Sequence, residues 1–143
     1  MIRLIIIAFA LMFQSCNTQP EALIPGKDIC VHCKMPVADT RFGAELISTK
    51  GKIYKFDDIN CMMHWKNNGG GSNIDFKQIL VVNYFNPIDL MQADKAVYFK
   101  SDKIRTPMNS GFAAFSKEEE AKNLQQEIGG TLVSWQQVVA DIL

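Results

Sequence analysis

Phe42-Gly43-Ala44-Glu45-Leu46-Ile47-Ser48-Thr49-Lys50-Gly51-Lys52-Ile53-Tyr54-Lys55-Phe56, followed at once by Asp57-Asp58-Ile59-Asn60-Cys61-Met62-Met63-His64-Trp65-Lys66-Asn67, decides the fold of this chain. Phe42 to Thr49 has strand composition, Lys50-Gly51 marks a turn, and Lys52 to Phe56 alternates well enough for a second strand, so this part reads as a hairpin. Asp57 is placed to N-cap a helix running from about Asp58 to Asn67, and the run Gly69-Gly70-Gly71 ends it. The unit is ββα. The glycine run lacks the Lys-Ser/Thr of a phosphate loop and reads as a linker.

The second half repeats the pattern of strands followed by a helix. Ile79 to Phe85 is apolar and β-branched, Pro87 breaks it, and Ile88 to Met91 reads as a short helical or irregular stretch. Ala96 to Lys100 reads as a strand, and Thr106-Pro107-Met108-Asn109-Ser110-Gly111 as a loop. Ser116-Lys117-Glu118-Glu119 has the form of a capping box, with Ala121, Leu124 and Ile128 along one face of a helix that stops at Gly129-Gly130. Leu132-Val133 reads as a last short strand. Ser134 with Gln137 is another capping box, opening a helix with Trp135, Val138, Val139 and Ile142 on one side. The expected fold class is α+β: two tandem ββα units, about residues 28–71 and 77–130, packed together, plus a C-terminal helix at 134–143.

Met1-Ile2-Arg3 and the apolar run Leu4 to Phe13 have the form of a signal peptide, too short for a mature membrane span of ~20 residues. Phe13-Gln14-Ser15-Cys16 resembles a bacterial lipobox, with Ser15 as the small residue before the cut and Cys16 as the lipidated residue of the mature chain. Phe13 and Gln14 depart from the usual residues. The expected organisation is a signal peptide at 1–15, a lipidated flexible tether at 16–27 containing Pro20, Pro25 and Gly26, and a domain at 28–143. Such a chain sits in the bacterial cell envelope, lipid-anchored to a membrane, on the periplasmic side in a Gram-negative cell.

Removing residues 1–15 takes one basic residue, so Lys+Arg falls from 15 to 14 against 15 Asp+Glu and the net charge is about −1. That balance gives no electrostatic footprint for nucleic acid and no polybasic patch for anionic lipid. Attachment is expected through Cys16 alone.

Three cysteines remain for chemistry: Cys30, Cys33 and Cys61. An odd number argues against a closed disulfide framework, and it allows either a Cys30–Cys33 disulfide with Cys61 free or a metal site using two or three thiols. Cys30-Val31-His32-Cys33-Lys34-Met35 places two thiols and a thioether within six residues, a soft set in which the thioether favours Cu(I). Cys61, in the opening turns of the first helix, gains thiolate character from the helix dipole, and His64 and Trp65 share its side. Met62 is one step round, while Met63 and Trp65 are expected to fill the core. Asp57 and Asp58 are explained as an N-cap and a first-turn acid, and His32 is expected to face solvent.

Taken in order, Cys30-x₂-Cys33-x-Met35, Phe56-Asp57-Asp58-x₂-Cys61-Met62 and Thr106-Pro107-Met108-x₂-Gly111-x₂-Ala114-Phe115 resemble the three signatures of the NosL family. The resemblance covers nearly all of the chain beyond the leader. It implies a fold of two ββα units and a non-enzymatic lipoprotein that carries Cu(I) for nitrous oxide reductase maturation in denitrification. Expected partners are the reductase apoprotein and its membrane maturation complex. The implied metal ligands are Cys30, Cys33, Met35, Cys61, Met62 and Met108, with His64 as an additional candidate. Two positions depart from the family pattern: Lys34 and Asn109 stand where glycine is common. Other readings from the residues are a Cys₃His zinc module of Cys30, Cys33, Cys61 and His64, a thiol–disulfide protein using Cys30 and Cys33, and a structural lipoprotein.

Overall fold

A computed structural model describes residues 18–143. The expected signal peptide and the lipidation site Cys16 lie outside the described residues. The elements are β1 (Ala44–Ser48), β2 (Ile53–Phe56), α1 (Ile59–Asn68), β3 (Phe76–Asn83), β4 (Asn86–Gln92), β5 (Val97–Lys100), β6 (Phe112–Phe115), α2 (Glu118–Ile128), β7 (Thr131–Val133) and α3 (Trp135–Ile142), after a 3₁₀ turn at Thr40–Phe42. They form two antiparallel sheets, in the orders β2-β1-β3-β4 and β6-β5-β7, with helices packed against them. The fold is α+β, as expected.

The repeat is present as β1-β2-α1 and β5-β6-α2, but the share of each unit differs from the sequence reading. β3 and β4 complete the first sheet instead of opening the second unit, because Ala44–Ser48 pairs with Phe76–Val81. The stretch expected to be helical or irregular around Ile88 is β4, and Pro87 lies within it. That strand has a neighbour on one side only, so the missing N–H of proline interrupts little pairing.

Side-chain alternation puts each sheet to use on two faces. Ala44, Leu46, Tyr54, Phe56 and Val81 point into the main core with Ile59, Met62, Met63 and Trp65 of α1, and with Val138 of α3. Tyr98, Phe112 and Ala114 of the second sheet enter the same core, while Phe99, Ala113 and Phe115 face Ala121 of α2. The helix ends follow local chemistry. Ser134 and Gln137 form the expected capping box of α3. The one expected at Ser116 is not formed: Lys117 holds the N-cap position of α2 without a side-chain cap bond, and Ser116 Oγ instead accepts from Asn83 Nδ2 at 3.1 Å.

Met63 and Trp65 are buried, as expected of core residues. Gly69-Gly70-Gly71 does more than link, because it folds back over the Trp65 indole. A Cβ on Gly71 would meet two ring carbons at 2.7 Å, so only glycine permits this approach.

Residues 18–27, expected to be a flexible tether, carry no helix or strand but lie against the first sheet. Leu23 packs with Val37 and Val82, and the Glu21 N–H donates to both Glu45 carboxylate oxygens at 3.2 and 3.3 Å. Glu45 is completely buried, and desolvation pushes its carboxyl up to about 7, with the Glu21 N–H and the Lys55 charge acting the other way. Lys55 pairs with Asp28 at 3.1 Å and with Glu21 at 3.4 Å. The docked segment delivers the chain directly into the Cys30 loop.

Candidate metal centre

The loop that carries Cys30 and Cys33 is closed by its own backbone. The Cys30 N–H donates to the Met35 carbonyl at 2.9 Å, the Lys34 N–H to the Cys30 carbonyl at 3.0 Å, and Ile29 bridges Pro36. Val31 N–H donates to the Lys55 carbonyl at 3.0 Å, which fastens the loop to β2. The closure requires a left-handed residue at Lys34, whose φ is 65°. Asn109 adopts φ 55° in the other signature loop, so both departures from the common glycine hold the backbone conformation that glycine favours.

Asp58 is the true N-cap of α1: its carboxylate accepts from Asn60 N–H at 2.8 Å. A helix takes one N-cap, so Asp57 is left with a different task, and the expectation that Asp57 caps α1 is corrected. It sits between β2 and the helix, 1 % exposed, with its Oδ2 accepting from Cys33 Sγ at 3.4 Å and its Oδ1 buried without a partner. Such an orphaned oxygen is costly in a folded interior unless something is meant to meet it.

Cys30, Cys33, Cys61 and Asp57 converge, with one donor atom from each within 4.8 Å of all the others. Cys30 and Cys61 are buried, Cys33 is half-buried, and all three are free thiols. No disulfide joins Cys30 and Cys33 in this structure. Cys61 donates to Cys30, which holds the Cys30 thiol down to about 6 against the opposing effect of burial. Cys61 is pushed up strongly for the same reason, as the donor to Cys30, and further by burial and by Asp57. Burial pushes Cys33 up to about 11, with the Cys30 charge adding to it. The Cys61 thiol is thus pushed up, against the direction expected from the helix dipole, and Cys30 is pushed down. Dipole stabilisation is modest, and burial beside a thiolate and a carboxylate outweighs it.

The remaining sequence candidates are distributed around this group. Met62 is fully buried in the core cluster that contains Cys30 and Cys61, and Met108 packs against that cluster. Met35 is 46 % exposed on the outer side of its loop. His64 stands outside the four-donor group and stacks with His32, their ring centroids 6.2 Å apart. The fourth donor beside the three thiols is thus Asp57 rather than His64. Sequence reasoning missed it because an acid before a helix is usually a cap; the available signal was that two acids stood where one cap is needed.

Three thiols and one carboxylate gathered by an α+β scaffold define a sulfur-rich centre able to hold a soft or borderline cation. The chain belongs to the NosL family, whose sequence profile matches residues 21–143. It is similar in fold to a solved structure described as the copper chaperone NosL from Shewanella denitrificans, with 16% sequence identity, a TM-score of 0.67, and coverage of 84% of this chain and 95% of that one. Comparison with curated proteins gives no match.

Proposed function

We propose that this protein is a Cu(I) chaperone that supplies copper for the maturation of nitrous oxide reductase, anchored to a membrane through acylated Cys16. The observation that carries the reading is the convergence of Cys30, Cys33 and Cys61, with no disulfide among them, from two segments of the chain. Thiolate sulfur suits Cu(I), which is stable in low coordination when water is excluded. The family and the description of the solved relative point the same way.

Cu(I) is the cargo. Binding displaces the protons that the thiols carry, so it is favoured by rising pH. Met108 and Met62 supply thioether sulfur from the adjoining core, and Met35 offers one at the surface. Thioethers bind Cu(I) less tightly than thiolates, so a mixed set permits release. An acceptor sulfur or imidazole replaces the ligands one at a time, beginning at half-buried Cys33, and the ion is never free. The lipid raises the local concentration of donor beside a membrane-bound acceptor.

A zinc module is favoured by one specific observation: Asp57 completes a four-donor Cys₃Asp group compatible with tetrahedral zinc. Competitive titration of the reduced protein, under anaerobic conditions, with chromophoric chelators for both ions separates the two. Cu(I) should be held far more tightly than zinc. Retention of zinc against a chelator, with Cu(I) lost to one of comparable strength, would give the zinc reading its place.

A further inference from the structure

We propose that the β1–β2 turn is the lipid-facing end of this protein and that residues 18–27, docked along the first sheet, form a fixed spacer presenting the thiol centre at the opposite, water-facing end. The inference rests on the reading that Cys16 is acylated, and it adds the orientation of the domain on the bilayer.

The docked segment is tied at both ends and between them. Thr18 Oγ1 donates to the Gly51 carbonyl at 3.1 Å, at the β1–β2 turn. Further along, the Glu21 N–H meets the Glu45 carboxylate, Lys55 Nζ donates to the Ala22 carbonyl at 3.4 Å, and Leu23 is buried with Val37 and Val82. The Asp28 carbonyl then accepts from the Val37 N–H at 2.9 Å, just before the Cys30 loop. The segment therefore runs from the turn that precedes β2 to the loop fastened at Lys55, near the far end of that strand.

Chain length converts these contacts into an orientation. Asn17 alone separates Cys16 from Thr18, and two residues reach at most ~7 Å. An acyl chain on Cys16 thus holds Thr18, and with it the Gly51 turn, close to the headgroup layer. Gly51 and Asp57 flank β2 on opposite sides, and an extended chain rising ~3.3 Å per residue separates them by about 20 Å. Asp57 belongs to the thiol group. The anchor and the metal donors therefore sit at opposite ends of the same strand.

The turn end suits contact with lipid. Lys50 and Lys52 are exposed there beside Asn73 and Asp75, around a hollow of about 350 Å³. Two ammonium groups against one carboxylate favour phosphate-bearing headgroups. Copper is then exchanged in the aqueous layer about 20 Å from the lipid, so an acceptor must offer its ligands from a domain that projects at least that far.

The test uses the full-length chain matured in cells, placed in nanodiscs of phosphatidylglycerol and phosphatidylcholine that carry a gadolinium-chelate lipid. Relaxation enhancement of the amide NMR signals reads distance from the headgroups, and mass spectrometry reads the acyl groups on Cys16. Enhancement at Lys50, Gly51 and Asn73 should exceed that at Val31, His32 and Lys34 at least fivefold. A flexible Gly/Ser insertion of about nine residues between Asn17 and Thr18 should reduce that ratio below twofold while leaving acylation and the amide spectrum of the domain unchanged. Equal enhancement at the two ends, or a ratio that survives the insertion, with acyl mass present on Cys16, would overturn the orientation and leave the anchor standing. Absence of acyl mass would overturn the anchor reading and the orientation with it.

Discussion

The Met108 backbone N–H donates to Asp58 Oδ2 at 3.0 Å, joining the signature loop of the second unit to the helix cap of the first across 50 positions of sequence. Ser110 Oγ adds a second bond, to Asp58 Oδ1 at 2.9 Å. One carboxylate thus caps α1 and holds the Thr106–Gly111 loop, one residue along the chain from Asp57 of the thiol group.

Asp58→Ala removes the cap and both loop contacts while leaving buried donors unsatisfied. The expected loss of stability is about 2–4 kcal/mol, read from the urea midpoint, together with weaker Cu(I) binding. Asp58→Asn keeps one oxygen and should lose less. Equal stability of the alanine variant and the native protein would show that the loop is held by other contacts.

Met108→Leu separates ligation from packing. The volume is conserved, so the apo protein should lose under about 1.5 kcal/mol, whereas Cu(I) affinity should fall at least tenfold, about 1.4 kcal/mol on the binding side. X-ray absorption should count fewer sulfur neighbours of copper in the variant. Unchanged affinity and sulfur count would leave Met108 as a packing residue alone.

Lys34→Gly should raise the melting temperature, since a left-handed backbone costs a residue with a Cβ roughly 1–2 kcal/mol more than glycine, less the entropy glycine loses on folding. The exposed bond from Lys34 Nζ to the Val31 carbonyl is the only described side-chain hydrogen bond given up. Copper affinity should be preserved. A lower melting temperature would mean that the lysine side chain holds the loop more firmly than its geometry indicates.

Glu45 makes stability depend on pH with a definite sign. Its carboxyl titrates at about 7 in the folded chain, above the usual value, so between the two the native state binds the extra proton. The contribution is therefore fully present below the unfolded pKa and is lost as pH rises through about 7. Glu45→Gln keeps an acceptor for the Glu21 N–H and removes the buried charge; it should gain on the order of 1 kcal/mol at pH 8 and little at pH 4. Denaturant midpoints at the two pH values check this, and an equal change at both would detach the effect from Glu45 ionisation.

Much of the local structure was legible because it depends on neighbours in the chain. The β1-β2 hairpin follows from alternation around Lys50-Gly51, α1 from the polar start and glycine stop, and α3 from the Ser134–Gln137 box. The three signatures likewise singled out Cys30, Cys33 and Cys61 before any geometry. β4 was not legible: Pro87 is a breaker in any local reading, and its harmlessness depends on the strand lying at an edge of its sheet.

What the sequence by itself determined is the inventory: soft sulfur residues, turn-forming loops and two strand-helix repeats, each encoded by residue type and short-range spacing. The tertiary structure alone decided which acid caps α1 and which faces the thiols, that the three thiols meet, and that Met35 lies outside while Met62 is buried. These depend on burial and on electrostatic partners brought together from distant segments. Periodicity reports which face of an element is apolar, but a thiol's proton and a carboxylate's free oxygen answer to everything packed around them.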